Sequence, residues 1–198
     1  MKFLIAILIG ALLSFAEGCS SGSSPTGSNS SGNTTKNSGT NPTEKMEDVP
    51  ASVKAAFPNA QSFTKQHKDI SAAAIAEIEK DTGAKLPDKD HHSYLAFKTE
   101  NGARKQIGAA TIVKAGGKEI VVVYENKEGS PFINEVRADG VPAPFLAQFK
   151  GKGHDDMFRI GADLKAEGVN DAVAKAIAEA IRVDAMTMQS LYGAAHTH

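Results

Sequence analysis

The sequence predicts an α+β domain: an antiparallel four-stranded meander with flanking helices, carried behind a processing signal and a flexible linker. Three observations lead there. Beyond residue 94, β-rich runs alternate with the turn words Asn101-Gly102, Gly116-Gly117 and Glu128-Gly129-Ser130, the pattern of a sheet joined by short hairpins. On either side of that region the apolar residues recur at helical spacing. Residues 20–43 are almost wholly Ser, Gly, Asn and Thr, a composition that cannot bury enough apolar surface to offset the entropy of ordering.

At the front, Lys2 precedes an uncharged apolar run over residues 3–15. That run is too short for a membrane-spanning helix, which needs about 20 apolar residues, and it fits the core of a secretory signal. Ala16-Glu17-Gly18-Cys19 resembles a bacterial lipobox, and Cys19 is the only cysteine in the chain. The expectation is removal of residues 1–18 and lipidation of Cys19; ordinary cleavage with Cys19 as a free thiol is the alternative. Residues 19–45 then form a tether with a reach on the order of 25–30 Å. This describes an exported, membrane-anchored lipoprotein facing the periplasm or cell exterior. A single cysteine also excludes an internal disulfide, a Cys-x-x-Cys-His haem site and a multi-thiolate metal site.

The globular part spans residues 46–193, enough for one domain with its own core. Residues 49–57 read as a short helix, with Asp48 as cap, Pro50 in the first turn and Phe57-Pro58 at its end. Residues 71–82 form a second helix with Ala74, Ile75 and Ile78 on its apolar face and Gly83 as its stop. Strands follow over 94–99, 105–114, 119–125 and 132–137. The third holds Ile120, Val121, Val122, Val123 and Tyr124, β-branched and aromatic residues suited to a pleated surface. A short helix over 143–149 follows Pro142, and a Gly-rich stretch leads to a short strand over 157–160. The last helix runs over 171–188, with Val173, Ala176, Ile177, Ala180, Ile181 and Met188 on its apolar face. Residues 194–198 form a frayed tail.

Four stretches carry a family resemblance: Phe57-Pro58-Asn59-Ala60; Gln106-Ile107-Gly108-Ala109-Ala110; Gly129 through Val136; and Phe145-Leu146-Ala147-Gln148-Phe149-Lys150-Gly151-Lys152. In this order they resemble the FMN-binding domain of flavoprotein subunits in Rnf and sodium-pumping quinone reductase complexes. The resemblance implies extracytoplasmic electron transfer, with redox proteins or quinone-linked complexes as partners. In the family a threonine near the start of the final helix is esterified to the flavin phosphate. Val173 stands there in this chain, and valine has no hydroxyl, so the flavin expected is noncovalent FMN. Its phosphate is expected at the helix start, Asn170, Asp171, Ala172 and Val173, where backbone N–H groups favour anions. Lys150 and Lys152 would come from the matching loop, or else belong to a solvated loop. Asp155, Asp156 and Asp171 oppose a dianion. Phe145, Leu146 and Phe149 read as core rather than as flavin-stacking residues.

The remaining constellations point elsewhere or nowhere. Asp88, Asp90, His91 and His92 include metal-ligand types, but adjacent histidines on a strand point to opposite faces. A solvated loop and no metal is the expectation there. His196 and His198 lie in the tail. No nucleophile motif, phosphate-binding loop or dinucleotide-binding glycine pattern occurs, so an electron-transfer or binding protein is expected before a stand-alone catalyst. A formal net charge of −1 does not suit a phosphate backbone and argues against a nucleic-acid partner. The alternative to the flavoprotein is a flavin-free ligand- or partner-binding lipoprotein that keeps the scaffold alone.

Overall fold

The computed structural model describes residues 48–86 and 88–194. The processing signal, Cys19, the whole tether and the last four residues lie outside the described residues. The chain runs α1 (Ala51–Ala56), β1 (Ser62–Asp69), α2 (Ala72–Thr82), β2 (Asp90–Glu100), β3 (Ala103–Ala115), β4 (Lys118–Lys127), β5 (Ser130–Ala138), α3 (Ala143–Ala147) and α4 (Asp171–Tyr192). The strands form one open antiparallel sheet in the order β1-β2-β3-β4-β5. The fold is therefore α+β, with five strands rather than the four expected. The additional strand is β1, which pairs with β2 from Ser62↔Phe97 to Asp69↔Asp90.

The three hairpins turn where the sequence puts them. Asn101-Gly102, Gly116-Gly117 and Glu128-Gly129 each have positive φ at both positions, the conformation whose twist matches the flanking strands. Ser130 is not part of its turn but the first residue of β5, opposite Lys127.

Alternation along β4 divides the core into two layers. Ile120, Val122 and Tyr124 face α4 and α3, meeting Ile177, Ile181, Met188, Phe145 and Phe149. Val121 and Val123 face the other way, with Phe63, Tyr94 and Ala110, and are covered by Val53 and Phe57 of α1 and its end. Both faces are buried, so β4 reads as a continuous apolar run rather than an alternating one. At Gly108 a Cβ would lie 2.7 Å from Cε1 of Phe57. The missing side chain lets the Phe57 ring rest on the sheet.

Helix ends follow local chemistry. The Ser71 hydroxyl accepts from the Ala74 N–H at 3.2 Å, and Gly83 closes α2 in the left-handed region at φ 73°. The Asn170 side chain accepts from the Ala172 N–H at 3.0 Å and caps α4. At α1 the expectation is corrected: the N-cap is Pro50, not Asp48, and no side chain caps the helix. Residues 157–160 form no strand, only a lone bridge from Ile160 to Leu164. The Arg159 carbonyl accepts from the N–H groups of Ala162, Asp163 and Leu164, so the segment closes on itself as a turn.

The last helix crosses the whole sheet. Its start packs on the β3–β4 turn, where Val173 Cγ1 would lie 2.9 Å from a Cβ on Gly116. Beyond its far end the Ala194 N–H donates to the Gly129 carbonyl at 2.9 Å, at the β4–β5 turn. Lys68 of β1 donates to the Leu191 carbonyl at 2.9 Å, and the Tyr192 and Ser93 hydroxyls bond at 2.9 Å. No helix among the described residues is long and apolar enough to cross a membrane.

Candidate functional site

One carboxylate stands on the buried stripe of α4. Asp184 follows Ile177 and Ile181 and precedes Met188 at helical spacing, and only 6% of it is exposed. A buried charge is costly unless it is fully hydrogen-bonded. Here the Thr111 hydroxyl of β3 donates to Oδ2 at 2.5 Å, and the Tyr124 phenol of β4 donates to the same oxygen at 2.7 Å. Oδ1 lies 3.1 Å from Nε2 of His91 on β2. Burial pushes the Tyr124 phenol well above its ordinary value, and the negative charge of Asp184 adds to the rise. The phenol therefore stays a proton donor to the carboxylate.

Thr111, His91 and Asp184 form part of the wall of a cleft of about 720 Å³ between α4, the sheet and the segment that follows α2. Its apolar lining includes Ile70, Leu86, Val113, Ala180 and Val183, and Lys85, Lys114, Asp88, Asp90, His92 and Glu179 also border it. The small side chains of Ala176 and Ala180 leave room on this side of α4. Gly83 ends α2 in the left-handed region, and the residues just beyond it, Ala84, Lys85 and Leu86, border the cleft. A mostly apolar cavity of this size with a few convergent polar groups is the ordinary form of a small-molecule site.

The residues expected to hold a flavin phosphate fall into two groups. Asn170, Asp171, Ala172 and Val173 lie together at the α4 start, with Asn170 engaged in the cap and Val173 packed on the β3–β4 turn. The loop with Lys150 and Lys152 lies along β5. There Ile133 N–H donates to the Lys152 carbonyl at 2.8 Å, and Gly151 N–H donates to the Ile133 carbonyl at 2.7 Å. The Lys152 ammonium is 3.4 Å from Asp156, and Lys150 borders a groove with Asn134, Arg137 and Leu146. Among the described residues no hydrogen bond or ion pair joins either lysine to residues 170–173. Asp171 stands in the first turn of the helix, where its charge opposes a dianion. Phe145, Leu146 and Phe149 are buried in the core, in keeping with the packing role read from their spacing.

A second polar group was hidden by the missing strand. Asp90, His91 and His92, expected in a solvated loop, are the first residues of β2. His91 turns toward Asp184, and His92 turns to the opposite face, as strand alternation requires. There it meets His67 of β1, its direct partner across the ladder, with ring centroids 4.1 Å apart. Asp90 Oδ2 lies 2.7 Å from His92 Nε2 and 3.6 Å from His67 Nδ1. The hydrogen bond to His92 is the largest influence holding the Asp90 carboxyl below its ordinary range.

No family model, curated protein or solved structure matches this chain.

Proposed function

We propose that this chain is an extracytoplasmic binding lipoprotein, held to a membrane by a lipid on Cys19, with its ligand in the cleft between α4, the sheet and the segment that follows α2. The cleft is the observation that carries this reading: about 720 Å³, largely apolar, with Thr111, His91 and Asp184 at one wall. An apolar lining favours a flat or aliphatic body, and the few polar groups set its orientation. The tether rests on sequence alone, on the apolar run ending at Cys19 and the Ser/Gly/Asn/Thr linker behind it. Cys19→Ala should shift the protein from the membrane to the soluble fraction or leave its signal uncleaved. Unchanged mass and membrane retention would refute the anchor.

Noncovalent FMN is the second reading, with electron transfer to a redox protein or quinone-linked complex as its role. The four family-like stretches support it, and Lys114 borders the cleft, while Lys85 is held by Glu79. Any flavin held here would supply the redox chemistry, and the protein would bind and orient it. Denatured protein should show no flavin fluorescence, because Val173 cannot form the phosphoester. A titration of the full chain with FMN, riboflavin and the apolar dye 1-anilinonaphthalene-8-sulfonate separates the readings. Dye binding that Ala180→Phe abolishes by filling the cleft supports a ligand site, and dye binding that ignores this change counts against it. Flavin binding competitive with the dye supports the second reading; no binding of either flavin at high micromolar concentration removes it.

A further inference from the structure

We propose that His67, Asp90 and His92 form a binding site for a divalent transition-metal ion on the face of β1 and β2 opposite α4. The site follows from register. His67 and His92 are direct cross-strand partners, so their Cβ atoms are held about 4.5–5.5 Å apart on the same face. Asp90 precedes His92 by two residues on the same strand and therefore projects to that face too. The nitrogen and oxygen donors of the three side chains all lie within 4.8 Å of one another.

That spacing suits one shared ion. With metal–nitrogen and metal–oxygen bonds of about 2.0–2.2 Å, ligand atoms around a tetrahedral ion sit roughly 3.3–3.6 Å apart. The His67–Asp90 separation of 3.6 Å already meets this, and the His92–Asp90 separation of 2.7 Å need only open by a small side-chain rotation. The backbone needs no change, because the β1–β2 ladder is continuous through this stretch. The Asp90 N–H donates to Asp88 Oδ1 at 3.1 Å, which ties down the strand start as well.

The donor set selects the class of ion. Two imidazoles and one carboxylate suit zinc, copper(II) or nickel, while calcium and magnesium prefer all-oxygen cages. The His67 and His92 side chains are 55% and 44% exposed, which leaves the outer side of the ion open to water or a further ligand. Three protein ligands with an open fourth position match the coordination of a reactive zinc site more than that of a closed structural one. Bound there, the ion would also cross-link edge strand β1 to β2.

The experiment uses the full chain with His196→Ala and His198→Ala, which removes the tail imidazoles. This parent is titrated with zinc(II) and copper(II) by calorimetry, with magnesium and calcium as comparison ions. One equivalent of either transition metal should bind, and neither magnesium nor calcium should compete at millimolar concentration. His67→Asn and His92→Asn should each weaken binding by about tenfold or more, since losing a ligand costs at least as much as losing its outer partner. Asp90→Asn should weaken it as well. Copper(II) bound to the parent should show electron paramagnetic coupling to two imidazole nitrogens, a readout that needs no variant to fold. Absence of binding at micromolar metal, coupling to fewer than two nitrogens, or affinity unchanged in both histidine variants would each overturn the site.

Discussion

The Thr111 hydroxyl on β3 and the Asp184 carboxylate on α4 are joined across 2.5 Å inside the core, and Tyr124 shares the same oxygen. The final helix is thus fixed on the sheet by a polar clasp as well as by apolar packing. Replacing Asp184 by leucine would leave two buried hydroxyls without their acceptor. At roughly 1–3 kcal/mol for each orphaned group, partly relieved by local relaxation, the loss should be about 2–4 kcal/mol in urea unfolding. Adding Thr111→Val and Tyr124→Phe to Asp184→Leu removes the orphaned groups together and should recover part of that loss. A triple variant weaker than the single one would show that the clasp is not an interdependent unit.

Tyr124 makes the alkaline limit of the fold predictable. Its phenol is raised above the ordinary value of 10.0 by burial and by Asp184. A group raised in the folded state contributes stability that is present below its unfolded value and disappears as pH climbs through the folded one. The chain has three tyrosines. In a titration followed at 295 nm, at least one should ionise only together with the loss of far-ultraviolet circular dichroism. All three ionising near pH 10 with the dichroism intact would contradict this burial.

Glu100 sets a test at the acid end. Lys98 and Lys105 reach its two oxygens at 2.8 and 2.9 Å. These pairs, Lys98 first, lower its carboxyl from 4.5 to about 2. A depressed carboxyl contributes stability above its unfolded value that is lost as pH falls through the folded one, here between about 4.5 and 2. The Glu100 side chain is 42% exposed and solvent screens its pairs, so the check is site-resolved carboxyl NMR rather than global stability. The Glu100 signal should titrate near 2 and move toward 4.5 in a Lys98→Gln, Lys105→Gln double variant.

Gly116→Ala tests the seat of α4. The position has φ 58°, and an added Cβ would meet Val173 Cγ1 at 2.9 Å. Backbone strain and overlap together should cost about 1–3 kcal/mol. Combining it with Val173→Ala should cost less than the sum of the two single changes, because the clash is removed. Additive losses in thermal unfolding would mean that Val173 does not press on this turn.

The sequence made the middle of the fold readable because local chemistry decides it. Glycine-bearing turns set the three hairpins, Ser71 and Gly83 bound α2, and Asp171 opens α4 as expected. β1 escaped because only Phe63 and Thr64 in Ser62–Asp69 are buried, so the strand lacks the alternation that marks a half-buried one. It exists because β2 offers it a partner. The metal-like cluster escaped with it, since His92 without His67 is a lone imidazole. The other centre did leave a trace: an aspartate in phase with Ile177, Ile181 and Met188 is an acid at a core position, which calls for buried partners. Those partners lie on strands sixty or more residues away, and no local pattern names them. Lys150 and Lys152 were linked to the α4 start by family order, whereas chain geometry ties their loop to Ile133.

The path of α4 across the sheet governs how the molecule comes into being. Strands β2 to β5 are joined by tight turns and can zip together in sequence, each closing only a short loop. The surface they build for Ile177, Ile181 and Met188 is complete at Ala138, well before the first residue of α4 has been made. A chain emerging from its N-terminus must therefore hold an uncovered apolar sheet face until its last segment arrives. During that interval the nascent protein is at its stickiest, and a chaperone that shields this face would be needed most. Fragments ending before Asp171 should aggregate even though every strand is present, while the complete chain closes the face with its own final helix.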